Sequence, residues 1–397
     1  MDETAGADTV NRRHLTLIGG LTVVHSTAYG MTFLLPLRVL EIGGDEAFVG
    51  LILGVGMVAA LLAGWLSGHL TDRIGRAGGV AMAGGAQGAA FAAMAMASDA
   101  CPRLILVGLG FGAGWAVFYL LTPLLAIGRA RAEDRVKYLT IISGLMMLGI
   151  GLGPVLGRAL DWAGLSISGV FALAAGLSLI GAGLALVLAR SDVPGSHGTT
   201  SLSMAVLGKL LKTRAALPAI MIAIGGGIFG CLTSFQAPIS EAIGVDYALF
   251  FAVFVVTVVV ARLSLAAQIG LQPPYPTVFA LLGMMVAALL SWVLVPQSPL
   301  VYGATTVLFA VGYGLTYSVL NGLVANIEQQ DLASPALLVF PLAYFLGLYG
   351  APFLGGWVIA AHGADILLLA LAVLGLVEWC LAGLGLARNR ARQDPSI

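Results

Sequence analysis

Ionisable side chains set inside long apolar runs are where this chain could do chemistry. His25, within His25-Ser-Thr-Ala-Tyr29, stands midway along one such run, Arg262 near the end of another, and Glu378 deep in the last. Burying these groups in hydrocarbon is costly, so each must line a cavity or find a partner. An imidazole there can carry a proton or hold a solute, and a hydrogen bond to neighbouring backbone accounts for it equally well. Arg262 reads as an anchor or gate residue, and Glu378 as a charge partner or a side chain snorkelling to an interface ahead of a proton carrier. A second set is aromatic or polar without charge: Tyr29; Trp115, Phe118, Tyr119 and Thr122; Thr233, Ser234, Phe235 and Gln236; Tyr302, Tyr313, Tyr317 and Asn321. Tyr313, Tyr317 and Asn321 are spaced four apart and share one helical face. Such a set suits an amphipathic or partly aromatic solute and lacks the arginine pair that a phosphorylated or dicarboxylate solute would need. Interfacial belting is the alternative for Tyr302. No nucleophile–base pair, metal-ligand set or cofactor motif stands out. Without a G-x4-G-K-[ST] stretch, ATP is not expected to drive the chain.

The elements that must position these groups follow from composition. Hydrophobic residues make up 59% of the 397, charged residues 10%, and mean hydropathy is +1.00. A soluble surface cannot be that apolar. Apolar runs of helix-spanning length exclude a β-barrel, whose strands alternate. Spans are expected near residues 15–38, 47–70, 79–97, 103–127, 138–161 and 167–189, then 216–239, 247–269, 275–295, 299–324, 335–360 and 365–387. That is an all-α integral membrane protein with twelve transmembrane helices. The lipid bilayer is its first partner, and zero formal net charge implies no nucleic-acid partner. Sixteen Lys and Arg fall in one set of alternate loops, Arg129 and Arg131 among them, against Arg38, Arg103 and Arg158 in the other. This places both termini and the 191–214 linker in the cytoplasm. Arg12 and Arg13 precede an apolar run too long for a signal core, so an uncleaved first span is expected. Cys101, Cys231 and Cys380 have no paired spacing and read as small apolar residues.

The most specific stretch is Gly64-Trp-Leu-Ser-Gly68-His-Leu-Thr-Asp72-Arg73-Ile-Gly75-Arg76-Ala-Gly78. Its charges must leave the bilayer, so the helix is expected to end near His69 and to turn at Gly75 and Gly78. This stretch resembles the loop between the second and third helices of the major facilitator superfamily, G-x3-D-[RK]-x-G-[RK]-[RK]. Gly68, Asp72, Arg73, Gly75 and Arg76 match, and Ala77 departs from it. Gly149-Ile-Gly-Leu-Gly153-Pro154-Val-Leu-Gly157-Arg158 is similar to that family's fifth-helix motif of exporters, with Arg158 in place of the last glycine. The punctuation recurs in Pro352, Gly355 and Gly356, and Pro36, Glu41 and Asp45 recur as Pro238, Glu241 and Asp246, at offsets of 198 to 202 residues. A third family pattern, an arginine followed by a glycine pair in the fourth helix, is poorly kept: Arg103 is at the wrong place for Gly108 and Gly110.

The resemblance implies two pseudo-symmetric six-helix bundles, residues 1–190 and 215–397, joined by the 191–214 linker. The first, fourth, seventh and tenth helices would line a central cavity. It also implies a cytoplasmic latch at Gly68–Arg76, with Asp72 facing a helix N-terminus opened by Ser334 and Pro335, and a pivot at Gly149–Gly157 and Pro352–Gly356. The expected function is alternating-access secondary transport, most simply antiport: proton-coupled efflux of a small organic solute by a monomer in a bacterial inner membrane. Proton-coupled import of a metabolite, or a non-transporting scaffold or receptor, are the alternatives.

Overall fold

The computed structural model describes residues 3–128, 130, 134–190, 204–325 and 330–393. Arg129, Arg131 and linker residues 191–203 lie outside the described residues. The helices are α1 (Glu3–Gly30), α2 (Leu35–Glu41), α3 (Glu46–Met96), α4 (Val107–Ile127), α5 (Arg135–Trp162), α6 (Ile167–Ala189), α7 (Met204–Leu210), α8 (Ala216–Ser234), α9 (Gln236–Ile243), α10 (Tyr247–Gly270), α11 (Pro274–Leu294), α12 (Pro299–Ala325), α13 (Gln330–His362) and α14 (Ala364–Gln393). Ten stretches among the described residues are long and apolar enough to cross a membrane, and α9 with α10, bent by 114°, form an eleventh. The 51-residue α3 would be about 75 Å long at 1.5 Å per residue, over twice a bilayer core of about 30 Å. It is two spans, which makes twelve.

The break in α3 lies at Gly75, whose φ of 75° and ψ of 169° only glycine adopts without strain. The helix therefore does not end at His69. It continues through Asp72 and Arg73, whose side chains are exposed, and Gly78 sits inside the next helix. Ser334 likewise opens no helix: α13 is already helical at Gln330, with Pro335 inside it.

Two compact units make up the chain: residues 1–44 with 52–199, and residues 45–51 with 200–397. In the first unit α1 packs on α5 and α6. A Cβ on Gly30 would lie 2.2 Å from the Ile150 carbonyl oxygen, and one on Gly153 would lie 2.6 Å from that of Thr27. Only glycine permits backbones that close, and close packing takes over inside lipid from the hydrophobic drive that is missing there. The glycines of α4 serve two neighbours. Gly108 and Gly112 meet Ile52 and Gly56 of the first half of α3, while Gly110 and Gly114 meet Ala86 and Ala83 of the second half. Two residues are about 200° of helix rotation, so the alternation points opposite ways. Packing therefore accounts for the glycine pair whose arginine is absent.

The second unit repeats the first seam between α8 and α13: a Cβ on Gly230 would lie 2.2 Å from the Leu348 oxygen, and one on Gly347 1.9 Å from that of Ala223. The leading helix of each unit also ends in a break. After α1 comes a 3-10 turn, Met31–Leu34, and α8 gives way to α9 at Phe235. Asp45 and Asp246 each accept from a backbone N–H opening the next helix, Phe48 and Ala248 at 2.8 Å, as capping residues do.

Candidate functional site

In the first unit the buried site forms around α1 just before its interruption. His25 is fully buried and its ring stacks on Phe118 of α4 at 4.0 Å, while Tyr29 stacks on Trp115 at 3.9 Å and 8°. Trp115 also meets Phe118 and Tyr119 at 5.6 and 5.9 Å. From α3, Gln87 faces His25 and donates to Ser178 of α6 at 3.3 Å. Trp115 Nε1, Thr122 Oγ1 and Ser26 Oγ have no hydrogen-bond partner among the described residues, and the imidazole has the Gln87 side chain as its polar neighbour, outside strict hydrogen-bond geometry. His25 makes no backbone hydrogen bond among the described residues, and Gln87 is the polar side chain that faces it. Each buried polar group left unpaired costs about 1–3 kcal/mol. A cluster of them beside stacked rings is a place for polar matter to bind.

The second unit differs. Gln236 opens α9 at the break after Phe235. It donates through Nε2 to Ser240 Oγ at 2.8 Å and to the Tyr302 hydroxyl, leaving Oε1 unpaired. Tyr302 is 1% exposed, so interfacial belting does not describe it. Tyr313 stacks on Phe229 at 4.7 Å and on Phe309 at 5.6 Å. Tyr317, half-buried one turn further on, meets Phe340 and Tyr344 of α13, and Asn321 is half-buried. Arg262 donates to the Gly314 carbonyl of α12 at 3.4 Å. Glu378 is 1% exposed, which excludes snorkelling, and it has no charge partner among the described residues.

The family profile described as Major Facilitator Superfamily matches residues 17–348, most of the chain. The chain belongs to the Major Facilitator Superfamily. Among solved structures, a mutant of the nucleoside transporter NupG is similar with a TM-score of 0.78 at 12% identity, covering 93% of this chain and 98% of that one. An auto-inhibited peptide transporter of the POT family gives 0.72 at 13% identity, covering 95% and 97%. At such identities the likeness shows the fold alone. No curated protein matches the sequence. Membership makes this a multi-pass membrane protein of a secondary-transporter family.

In this superfamily member the loop signature divides its labour. Arg76 donates to the Leu124 carbonyl at 3.1 Å, closing the C-terminal end of α4, whereas Asp72 and Arg73 stay exposed and form no ion pair among the described residues. Gly149 lies against Ser26 and Thr27, Gly153 against Thr27 and Gly30, and Gly157 against Leu34, so the fifth-helix motif is the α1 seam. The chain runs on helically through Pro154 and Pro352. Gly355 packs on Cys231 and Phe235, and Gly356 packs on Glu46 and Gly50, which group with the second unit.

Sequence reasoning passed over two buried polar residues. Arg38, 5% exposed, donates to the carbonyls of Met94, Ala95 and Ala97 and pairs with Glu41, which caps the end of α3. An arginine inside the first apolar run was the available signal. Gln87 was signalled as the one amide in the run 79–97.

Proposed function

We propose that this protein exports a small amphipathic or aromatic organic solute in exchange for protons, by alternating access, as a monomer in a bacterial inner membrane with both termini in the cytoplasm. The observation that carries the reading is the His25 cluster: an ionisable ring and several unpaired polar atoms, buried together beside stacked aromatics. Water or a solute's polar groups complete such atoms, a flat apolar group would take the places that Tyr29 and His25 hold on the Trp115 and Phe118 rings, and the imidazole supplies a proton site. Within the second unit, taken by itself, Gln236 and Tyr302 form an uncharged polar pair. Neither place holds a cluster of cations, so a phosphorylated solute does not fit. Export rather than import rests on the fifth-helix motif from Gly149 to Gly157. Asp72 and Arg73, exposed beside the Gly75 break, act as the latch that biases one pose.

Two measurements test this. In liposomes holding the purified protein, an aromatic amphipathic dye should move only while a pH gradient is imposed. Cells lacking the gene should retain more dye than the parent. Lower retention would reverse the direction, and absence of flux in liposomes would leave a scaffold. Replacing His25 with Gln should flatten the pH dependence of flux, and an unchanged profile would move the proton elsewhere.

A further inference from the structure

The internal repeat, applied at an offset of 200 residues, sets His25 against Gly225 and Ser178 against Glu378. These four positions lie on one seam in each unit, between its first and its last span. In the first unit α1 packs on α6, and a Cβ on Gly181 would meet His25 Nδ1 at 3.5 Å. In the second, α8 packs on α14, and a Cβ on Gly225 would meet Glu378 Oε1 at 3.1 Å and Oε2 at 3.3 Å. Each seam thus buries one ionisable side chain, contributed from opposite helices, with a glycine making room across from it.

We infer that Glu378 is a second proton-binding site, one that takes up and releases a proton behind α8. The carboxyl is 1% exposed, Oε2 has no hydrogen-bond partner, and no ion pair reaches it among the described residues. A carboxylate stripped of water with nothing in return is far costlier than the neutral acid, so the resting carboxyl holds its proton. A metal ion would want several ligands around it, and among the described residues no cluster of three or more His, Cys, Asp or Glu side chains forms. A proton needs only one.

No nearby charge substitutes for that proton. α8 brings only the thiol of Cys231, and α11 only Tyr275. α9 brings the exposed Glu241. α13 brings Tyr344, whose ring and carbonyl fill the space beside Gly226, Tyr349, and Asp331 and His362 towards its two ends. On α14 itself Asp365 and Arg388 lie about 20 and 15 Å away along the axis at 1.5 Å per residue. Loss of the proton would leave a bare charge against the α8 glycines, so ionisation must loosen the α8–α14 seam or admit water to it. Phe229, one turn from Gly225, carries that change to the Tyr313 stack. The inference rests on the proton-coupled reading only for what the proton accomplishes, not for its presence.

Infrared difference spectra of the protein in nanodiscs, taken on stepping the pH, test it. A carboxylic-acid carbonyl band should disappear as pH rises, be absent from Glu378→Gln, and shift without vanishing in Gly225→Ala, which crowds the same oxygen. If Glu378→Gln does not fold, the shift in Gly225→Ala carries the assignment. A spectrum with no band sensitive to either substitution, or a Glu378 band that never titrates while the protein stays folded, overturns the proposal. Dye flux without proton coupling would defeat the transport reading while leaving the band intact.

Discussion

The two units share a backbone seam and differ in the chemistry laid along it. In both, the leading span lies against the fifth helix of its own unit through glycines with almost no clearance, Gly30 on Ile150 and Gly230 on Leu348, at offsets close to 200. Yet the first unit places an imidazole facing Gln87 on its leading span, while the second places an amide bonded to Tyr302 on α9, just past its leading helix, and buries its ionisable group on α14. Contacts between backbones leave side chains elsewhere free to diverge. A duplicated fold can therefore keep one packing scheme while dividing polar roles unequally between its copies.

The strongest test of the shared seam is to fill it. Gly30→Val and Gly230→Val each push a branched side chain into a carbonyl oxygen that even a Cβ would approach to 2.2 Å. Overpacking of well-packed sites costs about 1–3 kcal/mol and more where backbone must move. Both variants should lose most folded protein in detergent, as read by fluorescence-detected gel filtration. Equal damage supports equivalence of the seams, and an intact Gly230→Val protein would break it. Next in size is Arg38→Met, confined to the first unit. It removes a buried guanidinium from three carbonyls, and with charge-assisted bonds worth about 1.5–3 kcal/mol each at most, a clear fall in melting temperature is expected. An unchanged melting curve would show that water replaces Arg38.

Much of this architecture is legible in sequence because lipid forces every spanning backbone to satisfy itself. Apolar runs therefore map onto helices almost residue for residue, as at 167–189 and Ile167–Ala189. Where the reading failed, the reason was local. Asp72 and Arg73 predict an end to α3, but charges at an exposed surface do not break a helix; the backbone at Gly75 does. Ser334 and Pro335 carried an N-cap signature that a helix beginning further upstream overrides. For the site, His25 and Gln236 could be named from their positions in apolar runs. Their partners could not, because the Phe118 stack, the Gln87–Ser178 bond and the Glu378–Gly225 contact are tertiary pairings between spans far apart in the chain.

The exposed signature bears on kinetics rather than folding. Asp72→Asn should slow dye flux severalfold while leaving dye binding unchanged, the factor by which a two-state balance moves when one pose loses about 1 kcal/mol. Arg76→Gln, whose side chain closes the end of α4, should instead lower melting temperature slightly. Identical behaviour of the two would erase the division of labour within the loop.

The finest distinction between the units comes from a glycine pair that packing does not require equally. Gly183 on α6 faces outward with nothing within 4 Å of an added Cβ, whereas its counterpart at the 200 offset, Gly383 on α14, would place that Cβ 3.4 Å from the Phe279 ring. Alanine is favoured over glycine inside a helix by about 1 kcal/mol, since it has less backbone freedom to lose. Gly183→Ala should therefore raise melting temperature by a degree or two. In Gly383→Ala the same gain must be set against displacement of the Phe279 ring, which stacks on Trp379 at 5.0 Å, and the net should be near zero. Paired melts of the two variants at one protein concentration read the difference. If both gain equally, the α11–α14 contact yields as easily as lipid does, and the two units differ less in packing than in their buried polar groups.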